Sequence, residues 1–381
     1  MKMGQALIEA SGPSLPEFPA LAEIVPDLIL VFGAVSYFST PGFHQSLRER
    51  FPGAAIAGCS TAGEIHGSRV LDGSASITAI EFEKTTALVR STSITAMSDS
   101  FEAGARVAAA LPIADLTAVL VFGTGLAING SALVAGLQSN LPTGTKISGG
   151  LAGDDGAFCR TWTMGSDGAA HDQIVVVGLY GKHLHFSCGS FGGWAAFGPA
   201  RKVTRCQENI LFELDGECAL DIYKRYLGDH AEKLPASGLL FPFEMLSANE
   251  EPLGVYRTIL GIDETTGSLT LAGEIDPGGY LKLMYAHTDK LIDGAESAAA
   301  MAIEDQSPHP DDTLAILVSC IGRKLILGDR VEEEVEAVAH QLPAATTITG
   351  FYSNGEISST SLHGGCRLHN QTMTISLIHE R

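Results

Sequence analysis

The sequence predicts an α/β (α+β) protein of two domains, built from duplicated β-α-β-β-β units that form mixed sheets covered by helices. Three observations predict it. The chain has 381 residues, more than one hydrophobic core usually fills. Hydrophobic residues make up 45% of it and charged ones 18%, the balance of an ordered chain with extensive buried structure. Finally, one order of elements recurs along the chain: a strand, a helix, a strand closing in a glycine-rich turn, then two more strands.

In the first unit residues 27–32 read as a buried strand and 44–50 as a short helix. The next strand ends in GCSTAGEI, Gly58 to Ile65, and β-like runs follow at 74–83 and 86–93. The second unit repeats this with a strand at 116–122, a helix at 131–141, the turn KISGGLAGDD at 146–155, and strands at 173–180 and 184–190. The third has a strand at 313–318, a helix at 330–342, TITGFYSNGEI at 347–357, and a last strand at 371–378. Each first strand starts about 30 to 37 positions before its glycine turn, room for a strand, a crossover helix and a second strand. A weaker fourth copy is expected in residues 256–287, where AGEI recurs, and DETTGSL within it reads as a hairpin. Leu220, Tyr223 and Leu227 recur at helical spacing after the turn Asp215-Gly216. The domain boundary is placed there, giving domains 1–216 and 217–381.

Charge and cysteine usage restrict the function classes. Lys and Arg number 24 against 44 Asp and Glu, a net charge of −20, which repels phosphate backbones and anionic lipid surfaces. No nucleic-acid or membrane partner is expected. Seven scattered cysteines without a CxxC pair fit reduced thiols in a cytoplasm. No apolar run approaches the roughly 18 residues of a spanning helix, so the localisation expected is cytoplasmic.

The turns hold the candidate site. Gly58, Gly149 and Gly350 each close an apolar strand, and each is followed by another glycine (Gly63, Gly153, Gly355) and an acid (Glu64, Asp154, Glu356). Either this is turn chemistry repeated by duplication, or the turns converge near the sheet ends where α/β proteins bind ligands. In the second case Cys59, Ser60, Thr61, Gly63, Glu64, Asp154, Tyr352, Ser353, Asn354 and Glu356 supply the ligand contacts. Arg323, in SCIGRK, is either a clamp for a carboxylate or propionate or one half of a structural ion pair. A cysteine-dependent hydrolase would use Cys59 as nucleophile, which needs a depressed pKa and a nearby base. His183 and His185 stand two apart on a β-like run and share a face; they are the candidate metal or haem ligands. Walker loops, strand-led GxGxxG, HExxH and GxSxG are missing, which weighs toward a binding role over an enzymatic one.

GCSTAGEI (58–65), SGGLAGDD (148–155), GGWAAFGPARKVT (192–204), FELDGECALDIYKRYLG (212–228), SCIGRK (319–324) and TGFYSNGEI (349–357), taken together and in this order, make the chain resemble a FIST protein with both N-terminal and C-terminal FIST domains. The resemblance implies a non-enzymatic sensory module of bacterial signal transduction that binds a small ligand. Within the family the chain is similar to stand-alone nitric-oxide-sensing haem proteins that act in trans on a partner histidine kinase. That likeness implies haem as cofactor, His183 or His185 as axial ligand, and Arg323 as propionate partner. The alternatives are a sensor of an amino acid or other small organic ligand without haem, and the cysteine-dependent hydrolase.

Overall fold

The computed structural model describes residues 1–9, 21–304, 312–359 and 365–381. Three six-stranded mixed sheets share one central core, and each is built on a parallel pair of buried strands. Leu28–Gly33 pairs with Ala55–Ser60, Leu116–Gly123 with Lys146–Leu151, and Leu314–Cys320 with Thr347–Ser353. Each pair is crossed by helices: Val35–Ser39 with Phe43–Arg50, then Gly130–Asn140, then Ile321–Leu327 with Val331–Gln341. Such near-continuous apolar strands are what a parallel pair covered on both faces requires.

The repeated unit is longer than β-α-β-β-β, because a short hairpin stands between the second strand and the last one. Each hairpin leaves its own sheet and adds to a neighbour's. Glu64–His66 with Arg69–Leu71 extends the third unit's sheet along Thr347–Ser353. Thr163–Gly165 with Gly168–Ala170 extends the first along Ala55–Ser60. Gly355–Ser359 with Cys366–His369 extends the second along Lys146–Leu151. This cyclic exchange ties the three units together, so no unit closes its sheet alone. The last strands, Ala75–Glu81, Gln173–Tyr180 and Met373–Glu380, pair antiparallel to the first strands of their own units.

The inward faces of all three sheets form a single cluster with Phe32, Phe122 and Phe351 at its centre. Phe32 and Phe351 stack at 4.8 Å, and Phe122 meets Phe32 edge-on at 5.6 Å, arrangements favoured by the ring quadrupoles. Outside each sheet a separate apolar cluster seats the helices.

The motif glycines have a packing cause. Gly58, Gly149 and Gly350 lie at equivalent register, opposite Val31, Val121 and Leu317 of the parallel partner. A Cβ there would stand 1.8 to 1.9 Å from the partner's carbonyl oxygen, so only glycine admits this approach.

Residues 195–285 differ in kind. They form an antiparallel eight-stranded sheet with the helix Ala219–Leu227 and an apolar cluster of their own. This layer is inserted into the third unit, between the edge strand Leu184–Phe191, which pairs with Met373–Glu380, and the helix Thr288–Glu304. A boundary at 216/217 passes through the turn joining Ile210–Leu214 to Glu217–Cys218. The fourth copy expected at 256–287 is absent: Pro252–Arg257, Ile259–Asp263, Ser268–Leu271 and Tyr280–Tyr285 make only antiparallel pairs. The DETTGSL hairpin is present, with Asp263 opposite Ser268.

Candidate functional site

The three glycine turns meet at one end of the core. Ala62 N donates to the Tyr352 carbonyl, Gly153 N to the Ser60 carbonyl and Asn354 N to the Leu151 carbonyl, at 2.8, 2.9 and 3.1 Å. Ser60 Oγ donates to the Gly153 carbonyl at 2.7 Å and accepts from Trp162 N at 2.9 Å. Each turn therefore holds the next, and all lie at the carboxyl ends of the parallel strands, where open α/β sheets place ligands.

The acids of the turns hold backbone together. Glu64 Oε1 accepts from Thr61 Oγ1 at 2.5 Å, and its Oε2 accepts from Ser74 N and Oγ at 3.0 and 2.7 Å. Glu356 repeats the pattern, accepting from Ser353 Oγ at 2.9 Å and from Thr372 N and Oγ1 at 3.1 and 2.9 Å. Asp154 accepts from the backbone N–H groups of Phe158, Cys159 and Arg160 at 2.9, 2.7 and 3.0 Å. Burial raises the pKa of Glu64, and carries that of Glu356 up to about 7, because desolvation of the carboxylate outweighs these hydrogen bonds.

Between the first and second turns opens a cavity of about 220 Å³ lined by Thr61, Gly63, Glu64 and Asp154, with Ser36, Asp72 and Asp155 at its walls. Lys324 reaches its margin: Nζ donates to the Ala62 carbonyl at 2.7 Å, pairs with Asp72 and stands 3.9 Å from Asp155. Glycine suits position 63 because its φ is +146°, a conformation that L side chains rarely adopt.

Four of the sequence-predicted residues thus line one cavity, and the others do not. Cys59 points into the central core, fully buried, where desolvation pushes its thiol pKa well up; a thiol held protonated there is no nucleophile. Ser60, Ser353 and Glu356 are consumed in the stitching described above. Asn354 donates through Nδ2 to the Gly125 carbonyl at 3.4 Å.

Arg323 and Tyr352 belong to a buried ion-pair network, the second of the two arrangements weighed for Arg323. Its Nε and Nη2 donate to Glu334 Oε2 at 3.0 and 2.7 Å, Nη1 to the Gly192 carbonyl at 2.5 Å and Nη2 to the Leu291 carbonyl at 2.7 Å. Tyr352 Oη and Ser319 Oγ donate to Glu334 Oε1 at 2.6 and 3.0 Å. Gly192 and Leu291 flank the inserted layer, so one guanidinium holds both of its connections, and none of it faces the cavity.

His183 lies exposed in the turn before Leu184–Phe191. His185 is half-buried, its ring stacked on His379 at 5.1 Å and its pKa lowered mainly by burial. His183 thus stands outside the strand whose face His185 occupies, and neither lines the turn cavity.

Asp72, Asp155 and Lys324 were not singled out from the sequence. The last two sit inside the quoted GGLAGDD and SCIGRK segments, but only the cyclic exchange of hairpins brings residue 324 to residue 63.

A family model of the FIST N domain matches residues 27–217, and one of the FIST C domain matches residues 219–359. Among solved structures, a crystal structure of cyanuric acid hydrolase from A. caulinodans aligns with 100% of this chain and 99% of that chain, at 10% identity and a TM-score of 0.36. No curated protein matches. Among the described residues no helix is long and apolar enough to cross a membrane. FIST domains are sensory, ligand-binding domains of signal transduction. With both models matched in order over most of its length, the chain belongs to the FIST family.

Proposed function

We propose that the chain is a non-enzymatic sensory protein of bacterial signal transduction, cytoplasmic, acting in trans on a partner such as a histidine kinase. Its ligand is a small organic molecule carrying an ammonium group, bound in the cavity between the first two glycine turns. One observation carries this reading: two turns from different units build a single cavity whose walls hold Glu64, Asp72, Asp154 and Asp155, with the Lys324 ammonium at its margin. Asp72 and Asp155 have side chains 60% and 80% exposed, so they can accept a second cation without the desolvation cost of a buried carboxylate.

The haem and nitric-oxide reading rests on the family likeness, and the positions of His183 and His185 do not favour it. The hydrolase reading loses its nucleophile with the burial of Cys59. A thermal-shift screen of free amino acids and diamines against the full chain tests the proposal. Stabilisation by one of them, abolished by Ser36→Trp, which fills the mouth of the cavity, supports it. A Soret band on haem titration, lost in His183→Ala or His185→Ala, would replace it.

A further inference from the structure

A second cavity, of about 290 Å³, lies between the three-sheet core and the inserted layer. The core contributes one face of the helix Gly130–Asn140, through Ser131, Val134, Ala135 and Gln138, together with the strand Cys366–His369; the layer contributes Phe243–Leu246, Pro252–Arg257 and residues 274–276. At its back stands Arg257, only 6% exposed. Nε donates to the Glu274 carbonyl at 2.9 Å, and Nη1 to the Tyr256 and Leu368 carbonyls at 3.0 and 3.3 Å. Nη2 has no acceptor, and no carboxylate pairs with this guanidinium, among the described residues. The contrast with Arg323 is plain: that buried arginine has Glu334. A buried cation without a hydrogen-bonded carboxylate is costly: burial draws the Arg257 pKa down to about 10, the Glu274 charge opposing the shift and the Arg367 charge adding to it. Ser131 Oγ, also buried in this wall, lacks a partner too. Val134, Met245, Leu253, Val255 and Leu368 give the cavity an apolar wall, and Gln138, Glu274, Asp276 and Arg367 complete its lining.

We infer that this interdomain cavity binds a small organic monocarboxylate with an apolar body, the carboxylate on Arg257 Nη2 with Ser131 Oγ beside it and the body against Val134, Met245 and Leu253. Two N–H groups of a planar guanidinium suit a carboxylate. Glu274 and Asp276, exposed on the same lining, stand with Arg367 there, so charge of both signs surrounds the site. Because the walls come from both bodies, such a ligand joins the inserted layer to the core. This site is separate from the turn cavity and does not depend on it.

Isothermal titration of the full chain with 3-methylbutanoate, with 3-methylbutanamide, and with sodium chloride at matched ionic strength tests the inference. The carboxylate is expected to bind and raise the melting temperature, and the amide and chloride to do neither. Arg257→Gln should weaken binding by about tenfold or more, the loss of a charge-assisted pair. Ala135→Trp, at an exposed helix position, should block the cavity while keeping the wild-type circular dichroism and melting temperature. Ser36→Trp should leave the titration unchanged, which separates this site from the ammonium site. Equal binding of amide or chloride, no binding of the carboxylate, or undiminished binding by Ala135→Trp would overturn it.

Discussion

Replacing Gly58 with alanine tests the packing explanation of the repeated turn. The new Cβ would stand 1.8 Å from the Val31 carbonyl oxygen and 2.7 Å from its carbon. The obstacle is backbone of a fully buried strand, paired over six residues and packed on both faces, so it cannot rotate away as a side-chain tip would. Relief requires the two strands to part by more than about 1 Å, in an interior packed like an organic crystal. Overpacking of this kind costs about 1–3 kcal/mol, and weakening two ladder hydrogen bonds adds about 1 kcal/mol each. The expected loss is about 3–5 kcal/mol, a large share of the ~5–15 kcal/mol typical of a domain. Gly53 is the control: it is exposed, with nothing within 4 Å of its Cβ position and no left-handed φ. Gly53→Ala should be neutral or stabilising by about 0.5 kcal/mol. Urea unfolding followed by circular dichroism reads both variants. A loss below about 1 kcal/mol for Gly58→Ala would refute the close-approach reasoning.

Three further outcomes are expected. Glu334→Gln leaves the Arg323 guanidinium, 0% exposed, without its counter-charge and should cost about 3–5 kcal/mol; faster proteolysis near Gly192 should accompany it, and unchanged stability and proteolysis would contradict the network's role. Glu356 has a folded pKa of about 7 against an unfolded value near 4.5, so the folded state holds the proton more tightly. Its contribution is complete below about pH 4.5 and is lost as pH rises through 7, by up to about 3 kcal/mol; the stability gap between wild type and Glu356→Gln should drift with pH in that window, and a flat difference would refute it. In thiol labelling of the native protein, exposed Cys159 should react first, whereas Cys59, Cys188, Cys320 and Cys366, all buried, should react only on unfolding; native-state labelling of Cys59 would reopen the nucleophile reading.

Much of the core was legible in the chain. Runs such as 116–122 and 313–318 became buried strands, and residues 44–50, 131–141 and 330–342 became helices within one or two positions. Hydrophobic period is a property of consecutive residues, and a buried parallel strand leaves the same trace wherever it lies. The AGEI at 272–275 misled because four small residues specify a turn and not the parallel pair around it. In the structure that turn joins antiparallel strands and exposes Glu274.

The site was legible only as a set of residue types. A glycine followed by a carboxylate marks a turn whose acid will hold backbone, and Glu64, Asp154 and Glu356 do that. Which acids also face a cavity depends on whose turn lies opposite, and that partner is about 90 to 290 residues away in the chain. Arg323 finds Glu334 eleven residues on, whereas Arg257 finds only carbonyls. Consecutive residues thus settled the strands, helices and turns of this protein. Folding settled which turns meet, which cysteine is sealed in the core and which buried arginine is hydrogen-bonded to a carboxylate, because contacts between distant segments leave no local pattern to read.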